Sequence, residues 1–547
     1  MPRIHLSALD LTIFALYMVA AVALGFFVAR GKRKTSQGYF LGDRKLPWFV
    51  VATSMVAADI SSEHFIANAG AAYKYGLVPA TASWNSWIIY SLLIWIFLPY
   101  YVRTRLYTLP QFLERRYHPS CRYIFSAALL VGYVGAIIAG ALYAGGITLH
   151  NMLGFLIESR WHITPDTETF IGIFFFGIIT GAYTIYGGLT SAAWTDFMQI
   201  IVLGFAGVMV PIIGLHRVGG IVHLAHEIPY KFQLFLPVTH PVFPFTGILS
   251  GFLTVGIWYS CTSQHMVQRV LAAKDEYNAR MGVVGAGYLH IFTPFFFVLP
   301  GLIAIILLPH LKNPDVSYLS LVELLVPSGI RGLIFAGMAA ALMSNLAAVL
   351  NSASTLLTID FYKSLFKPEA TEHEQVRFGQ ISGTFILVLG MGIACIFTIL
   401  HKPLFVLVQN IFFYIAPPFA VVFTMGILWK RANFKAAMTT IITGFIFTAI
   451  LDHTIHDLAY LHRAFFAWCF CMIVMGTVSL LTAPPPPEKV EGIVWSRRYA
   501  NLPEEERKRY RGLKDFRIWW LLFVIIILCI YGFFVWFRLQ YPVPMLG

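Results

Sequence analysis

Charge is what this sequence has least of. Asp, Glu, Lys and Arg supply only 12% of the 547 residues, where a soluble protein of this size carries about a quarter. That scarcity excludes a soluble globular chain. Cysteine is sparse too: six residues (121, 261, 395, 469, 471, 529) fall in or beside apolar segments without metal-ligand spacing, which leaves buried apolar side chains as their reading. No small-residue cleavage site follows MPRIHLSALD, so the first apolar stretch reads as a membrane span and not a removed signal. Nor is any polar stretch long enough for an attached soluble module.

What is present is apolar residue, 58% of the chain, in runs of about 20 that recur from end to end, each enough to cross roughly 30 Å of hydrocarbon. The chain reads as an all-α polytopic membrane protein of 14 spans, at approximately 7–29, 47–71, 77–100, 122–154, 166–182, 190–215, 243–267, 281–307, 332–360, 379–400, 404–429, 436–454, 463–482 and 517–538. The net charge of +13 raises the possibility of a nucleic-acid partner, but its distribution points elsewhere. Basic clusters such as GKRK (31–34), ERR (114–116) and WSRR (495–498) sit in alternate connections. With both termini outside, inner connections together with Arg122 and Arg517 at their span edges hold 29 of the 39 Lys and Arg, the positive-inside bias of a cell (inner) membrane protein. The bilayer is therefore the expected partner, with no nucleic acid and no obligatory protein partner.

Five spans lie in 47–215 and five in 243–429. An odd-numbered unit ends on the side opposite its start, so the second five must run inverted relative to the first. Polar residues interrupt the first helix of each unit, at AADISSEH (57–64) and WYSCTSQHMVQR (258–269). An ionisable group such as Asp59 costs several kcal/mol at mid-bilayer unless it meets a partner, cavity or ligand, so the first interruption reads as a binding site. The remaining units are 1–46 (an accessory span and inner loop), 216–242 (an outer connection), 430–482 (accessory spans), 483–516 (an inner linker, read as a tether) and 517–547 (the last span). Short helices are expected in the outer segments 216–242 and 308–331.

Seven motifs in order resemble the sodium/solute symporter family, and within it the sodium/glucose cotransporter branch. They are YFLGDRKLPWF (39–49), ADISSEHFIANAG (58–70), YTLPQFLERRY (107–117), YTIYGGLTSAAWTDFMQ (183–199), WYSCTSQHMVQR (258–269), MSNLAAVLNSASTLLTIDFY (343–362) and VQNIFFYIAPPFAVVFTMGILWKR (408–431). The resemblance implies a LeuT-like core of two inverted five-helix repeats, with one N-terminal and three C-terminal accessory helices. It also implies a Na⁺ site of main-chain carbonyls from Ala57, Ile60 and Ala341 with the Ser344 hydroxyl. Asn345 stands where the family has a second hydroxyl; its amide oxygen can still coordinate Na⁺. Ala347 and Ala348 replace the hydroxyls of a second site, implying one Na⁺ per cycle. Asp196 is carried over as a residue that tunes the ion's field or its inner exit path.

The same resemblance implies solute contacts at Asp59, His64, Ser83, Ser86, Ser263 and Gln409. Asp59 stands where sugar carriers commonly have Asn, Ser83 where they have Glu, and Ala82 at an aromatic gate position. The implied activity is sodium-coupled symport of a small neutral solute, a sugar or sugar-like polyol. The alternative is a sodium- or proton-coupled carrier of another solute, such as an amino sugar or organic cation, with Asp59 as counter-ion or proton site. No nucleophile with an oxyanion device is present, so no enzyme is expected. A ligand sensor is disfavoured because 482–515 is too short for a signalling output.

Overall fold

The computed structural model describes residues 6–30, 35–62, 64–161, 164–400, 404–455 and 458–541, with side chains omitted at 151, 153–161 and 404–410. Twelve helices among these are long and apolar enough to cross a membrane. The described residues form no strand beyond one isolated bridge between Leu46 and Ala273. The protein is all-α and multi-pass.

The expected spans 166–182 and 190–215 are not separated by a loop. They form one helical run, Pro165–Arg217, of 53 residues, bent at Gly188, whose φ of 61° and ψ of −152° lie outside the helical region. A Cβ there would stand 2.3 Å from the Tyr39 carbonyl oxygen. Only glycine fits both the positive φ and the close backbone, and it turns the chain without a connecting loop.

Two helices break in mid-course, and the breaks mirror each other. In the first, Trp48–Asp59 ends at Ile60 (φ −86°, ψ 129°). The chain resumes as a π-turn, His64–Asn68, then Ala69–Tyr75. In the second, Phe245–Gly256 passes into a π-turn, Ile257–Thr262. It breaks at Ser263 (φ −82°, ψ 133°) and resumes as Gln264–Leu271. The order is helix, break, π-turn in one and π-turn, break, helix in the other, as an inverted repeat demands.

Ile330–Phe366 runs through the centre, 94% of its most apolar window buried. Its small residues permit close approach: a Cβ on Gly337 would stand 2.3 Å from the Ala206 Cβ. In lipid, such packing holds helices together where hydrophobic burial cannot. Asp10, on the N-terminal helix Ala8–Ala29, accepts hydrogen bonds from the Gly329 and Gly332 N–H groups (2.7 and 2.8 Å) and so caps this central helix.

Short helices occupy the outer segments at Ile221–Glu227 and Ser317–Leu325. The linker is more than a tether, because it docks on the helix ends. Trp495 donates through its backbone N–H to Ile427 and through its indole to the Trp95 carbonyl. Arg103 pairs with Glu276 at 2.6 Å and donates to the Arg498 and Asn501 carbonyls. Glu506 accepts from the Tyr277 N–H at 2.7 Å, at the first turn of Glu276–Phe297. The Tyr510 ring stacks on Tyr277 with centroids 3.6 Å apart.

Candidate functional site

The first break exposes main-chain carbonyls that a continuous helix would satisfy. In an unbroken helix the Ser61 N–H would bond the Ala57 carbonyl; here it donates to His64 Nδ1 at 3.1 Å. The freed Ala57 oxygen instead accepts the Ser344 hydroxyl at 2.5 Å, and that hydroxyl lies 3.1 Å from the Ala341 carbonyl. The neighbouring carbonyl, Ala58, accepts from the Asn345 amide nitrogen at 2.6 Å. Consecutive residues of the central helix thus hold consecutive carbonyls of the broken one. Ala57, Ile60, Ala341, Ser344 and Asn345 are all buried. Two carbonyls and a hydroxyl this close form a hard oxygen cluster suited to a small monovalent cation, and Ile60 is the residue at which the helix opens.

Beside this cluster lies a cavity of about 340 Å³, lined by Asp59, His64, Ser83 and Ser86 together with Asn85, Tyr90, Tyr259, Ser260, His290 and Asn345. Four of the six expected solute residues therefore share one wall. Ser263 sits elsewhere. It is fully buried at the second break, where its hydroxyl contacts Tyr133 and His265 (both 2.8 Å) and is absent from the cavity lining. The Tyr133 hydroxyl also accepts from the His265 N–H, the start of the resumed helix. Gln409 belongs to the helix Leu404–Leu428, but its side chain lies outside the described residues. Asn345 faces both ways, holding the helix break while lining the cavity.

Because His64 Nδ1 accepts a backbone N–H, a neutral His64 ring carries its proton on Nε2. Asp59 has a neighbour the sequence did not announce. His290, on the span Glu276–Leu307, lies with Nε2 3.6 Å from Asp59 Oδ2. Its ring is buried, and neither nitrogen has a hydrogen bond among the described residues. A lone histidine in GYLHIFTPF is the kind of signal that could have found it, since an ionisable group in mid-span is a site by default. The last helix reaches the same wall, where the Tyr531 hydroxyl donates to Asn85 Oδ1 at 2.7 Å.

Asp196, fully buried, lies outside the oxygen cluster. Its Oδ2 accepts from the Ser54 hydroxyl at 2.6 Å and lies 3.5 Å from Arg269, which donates to the Ser54 and His265 carbonyls. The pair therefore ties Pro165–Arg217 to both broken helices, a linkage that needs Arg269 as well as the aspartate.

Residues 39–444 match the model of the sodium:solute symporter family. A sodium/glucose cotransporter of Vibrio parahaemolyticus is 30% identical over 509 residues, covering 87% of this chain and 91% of the relative. A sodium/myo-inositol cotransporter of Mus musculus is 29% identical, covering 91% and 76%. A solved structure described as the substrate-bound outward-open state of a Na⁺-coupled sialic acid symporter superposes with a TM-score of 0.76 at 21% identity, covering 87% of this chain and 98% of that one. At that identity the likeness is one of fold, a LeuT-like core of inverted repeats.

Proposed function

The chain belongs to the sodium:solute symporter family, a carrier and not an enzyme, and from that membership we propose that it moves a neutral sugar or sugar-like polyol together with one Na⁺. The observation that carries this reading is the first break. Carbonyls freed there meet Ser344 to make the ion cluster, and Asp59, two residues further on, enters the cavity. Ion and solute then share one piece of backbone, so each can favour the other's binding.

In this reading Na⁺ is held by the Ala57 and Ala341 carbonyls and the Ser344 hydroxyl, with Ile60 closing the set. Asp59, His64 and His290 grip solute hydroxyls, and Tyr90 and Tyr259 supply ring faces. Carboxylate and imidazole together offer acceptors and a donor, which suits vicinal hydroxyls. We count Pro165–Arg217 as two crossings and the broken helix Trp48–Tyr75 as one, giving fourteen with both termini outside. Membrane potential supplies about 2.3 kcal/mol per charge per 100 mV, enough for one cation to drive accumulation. The cavity wall extends to Phe243 and Tyr460, beside the outer connections, so solute enters from outside.

A second reading rests on Asp59 itself, a cavity carboxylate whose one ion-pair neighbour among the described residues is His290. It makes the solute an amine, or Asp59 the proton site. Uptake into proteoliposomes separates the readings. Glucose or myo-inositol should accumulate only under an inward Na⁺ gradient. Accumulation driven by a pH gradient in choline would overturn the sodium assignment, and uptake confined to amines would overturn the neutral solute.

A further inference from the structure

Asn345 bonds a carbonyl beside the candidate ion cluster and also lines the candidate solute cavity. A carbonyl oxygen can only accept, so the atom 2.6 Å from the Ala58 oxygen must be the amide nitrogen. The orientation of the amide is thereby fixed by its partner. Its oxygen receives no hydrogen bond from any described residue, and Asn345 lines the cavity beside Asp59 and His290 while being only 4% exposed. That oxygen is left open toward the cavity, where a solute hydroxyl or a water can donate to it. A second hydroxyl at this position would be too short to span both the break and the cavity; an amide has one polar end for each.

We propose that Asn345 is a positioning residue that couples solute to sodium, its amide oxygen accepting a solute hydroxyl while its N–H holds the Ala58 carbonyl, and that it is not an ion ligand. The proposal rests on the sodium/solute reading above. The mechanics are local. The Ala57 and Ala58 carbonyls lie in successive peptide planes that meet at the Ala58 Cα, and both residues belong to the helix Trp48–Asp59, so with Ala58 held at helical φ and ψ, fixing its carbonyl limits how the Ala57 carbonyl can turn. A solute hydroxyl that orders the Asn345 amide therefore orders the Ala57 oxygen that Ser344 and the ion share. By linkage, Na⁺ then favours the amide orientation that the solute needs, by the same factor.

The test is the ratio of sodium affinities with and without solute, measured by radioactive-sodium binding to the purified full-length protein, with glucose and myo-inositol as the two probes. In the parent, a bound probe should tighten sodium binding, with a factor of about 5 or more expected for ordinary site-to-site coupling. In Asn345→Ser, which keeps a hydroxyl but cannot reach both partners, the ratio should fall to less than about twofold, below that coupling range. Asn345→Ala should do the same, so the outcome does not hang on one variant's folding. A ratio kept at its parental value in either folded variant overturns the proposal. So does sodium binding weakened alike with and without probe, which would mark Asn345 as a direct ligand. Ser344→Ala separates this from the underlying reading: unchanged sodium binding there removes the ion site itself. A parent whose sodium affinity ignores both probes overturns the coupling and the solute assignment together.

Discussion

Ser344→Ala removes the hydroxyl that binds the break and that the proposed function assigns to the ion. The ion–dipole contact of Na⁺ with a hydroxyl oxygen is set on the scale of a hydrogen bond to a charged group, about 1.5–3 kcal/mol. The full amount is not lost, because sodium binding in the parent must first release the bond from Ser344 to Ala57, formed at 2.5 Å, and a neutral bond is worth about 1 kcal/mol. The variant has no such bond to release. The net weakening is therefore about 0.5–2 kcal/mol, or roughly 2- to 30-fold in the sodium concentration for half-maximal uptake. Ser344 is buried, and alanine leaves the Ala57 oxygen short of a donor when no ion is bound, so some thermal stability is lost in sodium-free buffer and regained when sodium is added. Sodium titrations of uptake into proteoliposomes, with Ser344→Thr as the rescue, read the shift directly. An unchanged sodium requirement in Ser344→Ala, at normal protein content, refutes the assignment of Ser344 as a ligand. A lower maximal rate without a change in sodium requirement refutes it equally.

Asp59→Asn should keep sodium-driven uptake of a neutral sugar while weakening solute affinity by about 1–2 kcal/mol, the scale of hydrogen bonds to a charged group; complete loss of neutral-sugar uptake in a folded, sodium-binding variant would argue that the charge itself is required. Gly188→Ala forces a Cβ to within 2.3 Å of the Tyr39 oxygen at a φ of 61°, which should cost about 2–4 kcal/mol. A thermal midpoint in detergent equal to the parent's would show that the bend tolerates a side chain. Burial holds the half-buried Glu506 carboxyl above its ordinary value of 4.5, more than the Tyr277 and Glu276 N–H groups lower it. The docked linker then favours the protonated form, so docking is strongest at low pH and weakens as pH rises from 4.5 through the raised value. Hydrogen exchange of residues 504–510 across that window should show it, and Glu506→Gln should flatten the response.

The parts of the site written as backbone were legible from sequence, because a polar interruption in an apolar span is a conspicuous cost. Asp59 in AADISSEH lines the cavity, and Ser344, carried over by the family resemblance, bonds the Ala57 carbonyl of the same segment. The structure supplied what a linear pattern does not carry. Gly188 joins two expected spans without a loop, a feature set by contact with Tyr39, about 150 residues away in the chain. His290 is one polar residue in an apolar run, meaningful only once Asp59 lies 3.6 Å away. Ser263 was expected at the solute and instead satisfies Tyr133 and His265, since a hydroxyl at a helix break finds nearby partners as readily as a ligand. The docking of 482–515 is not legible in a linear pattern because its carbonyl acceptors have no sequence signature.

Two halves that hold the same parts in reverse order are able to trade shapes. Giving each half the backbone of the other would present the cavity to the opposite side of the membrane without inventing a new conformation. The two access states then begin as near equals, and their balance is set only by what the halves do not share. In this chain the contacts made by parts outside the repeats include Asp10 on Gly329 and Gly332 at one end, and the grip of Arg103, Glu276 and Glu506 on the linker at the other. Each such bond is worth about 1 kcal/mol, close to a tenfold bias at 1.4 kcal/mol. Contacts at its unrepeated edges, away from the broken helices, therefore weigh on the direction in which this molecule rests.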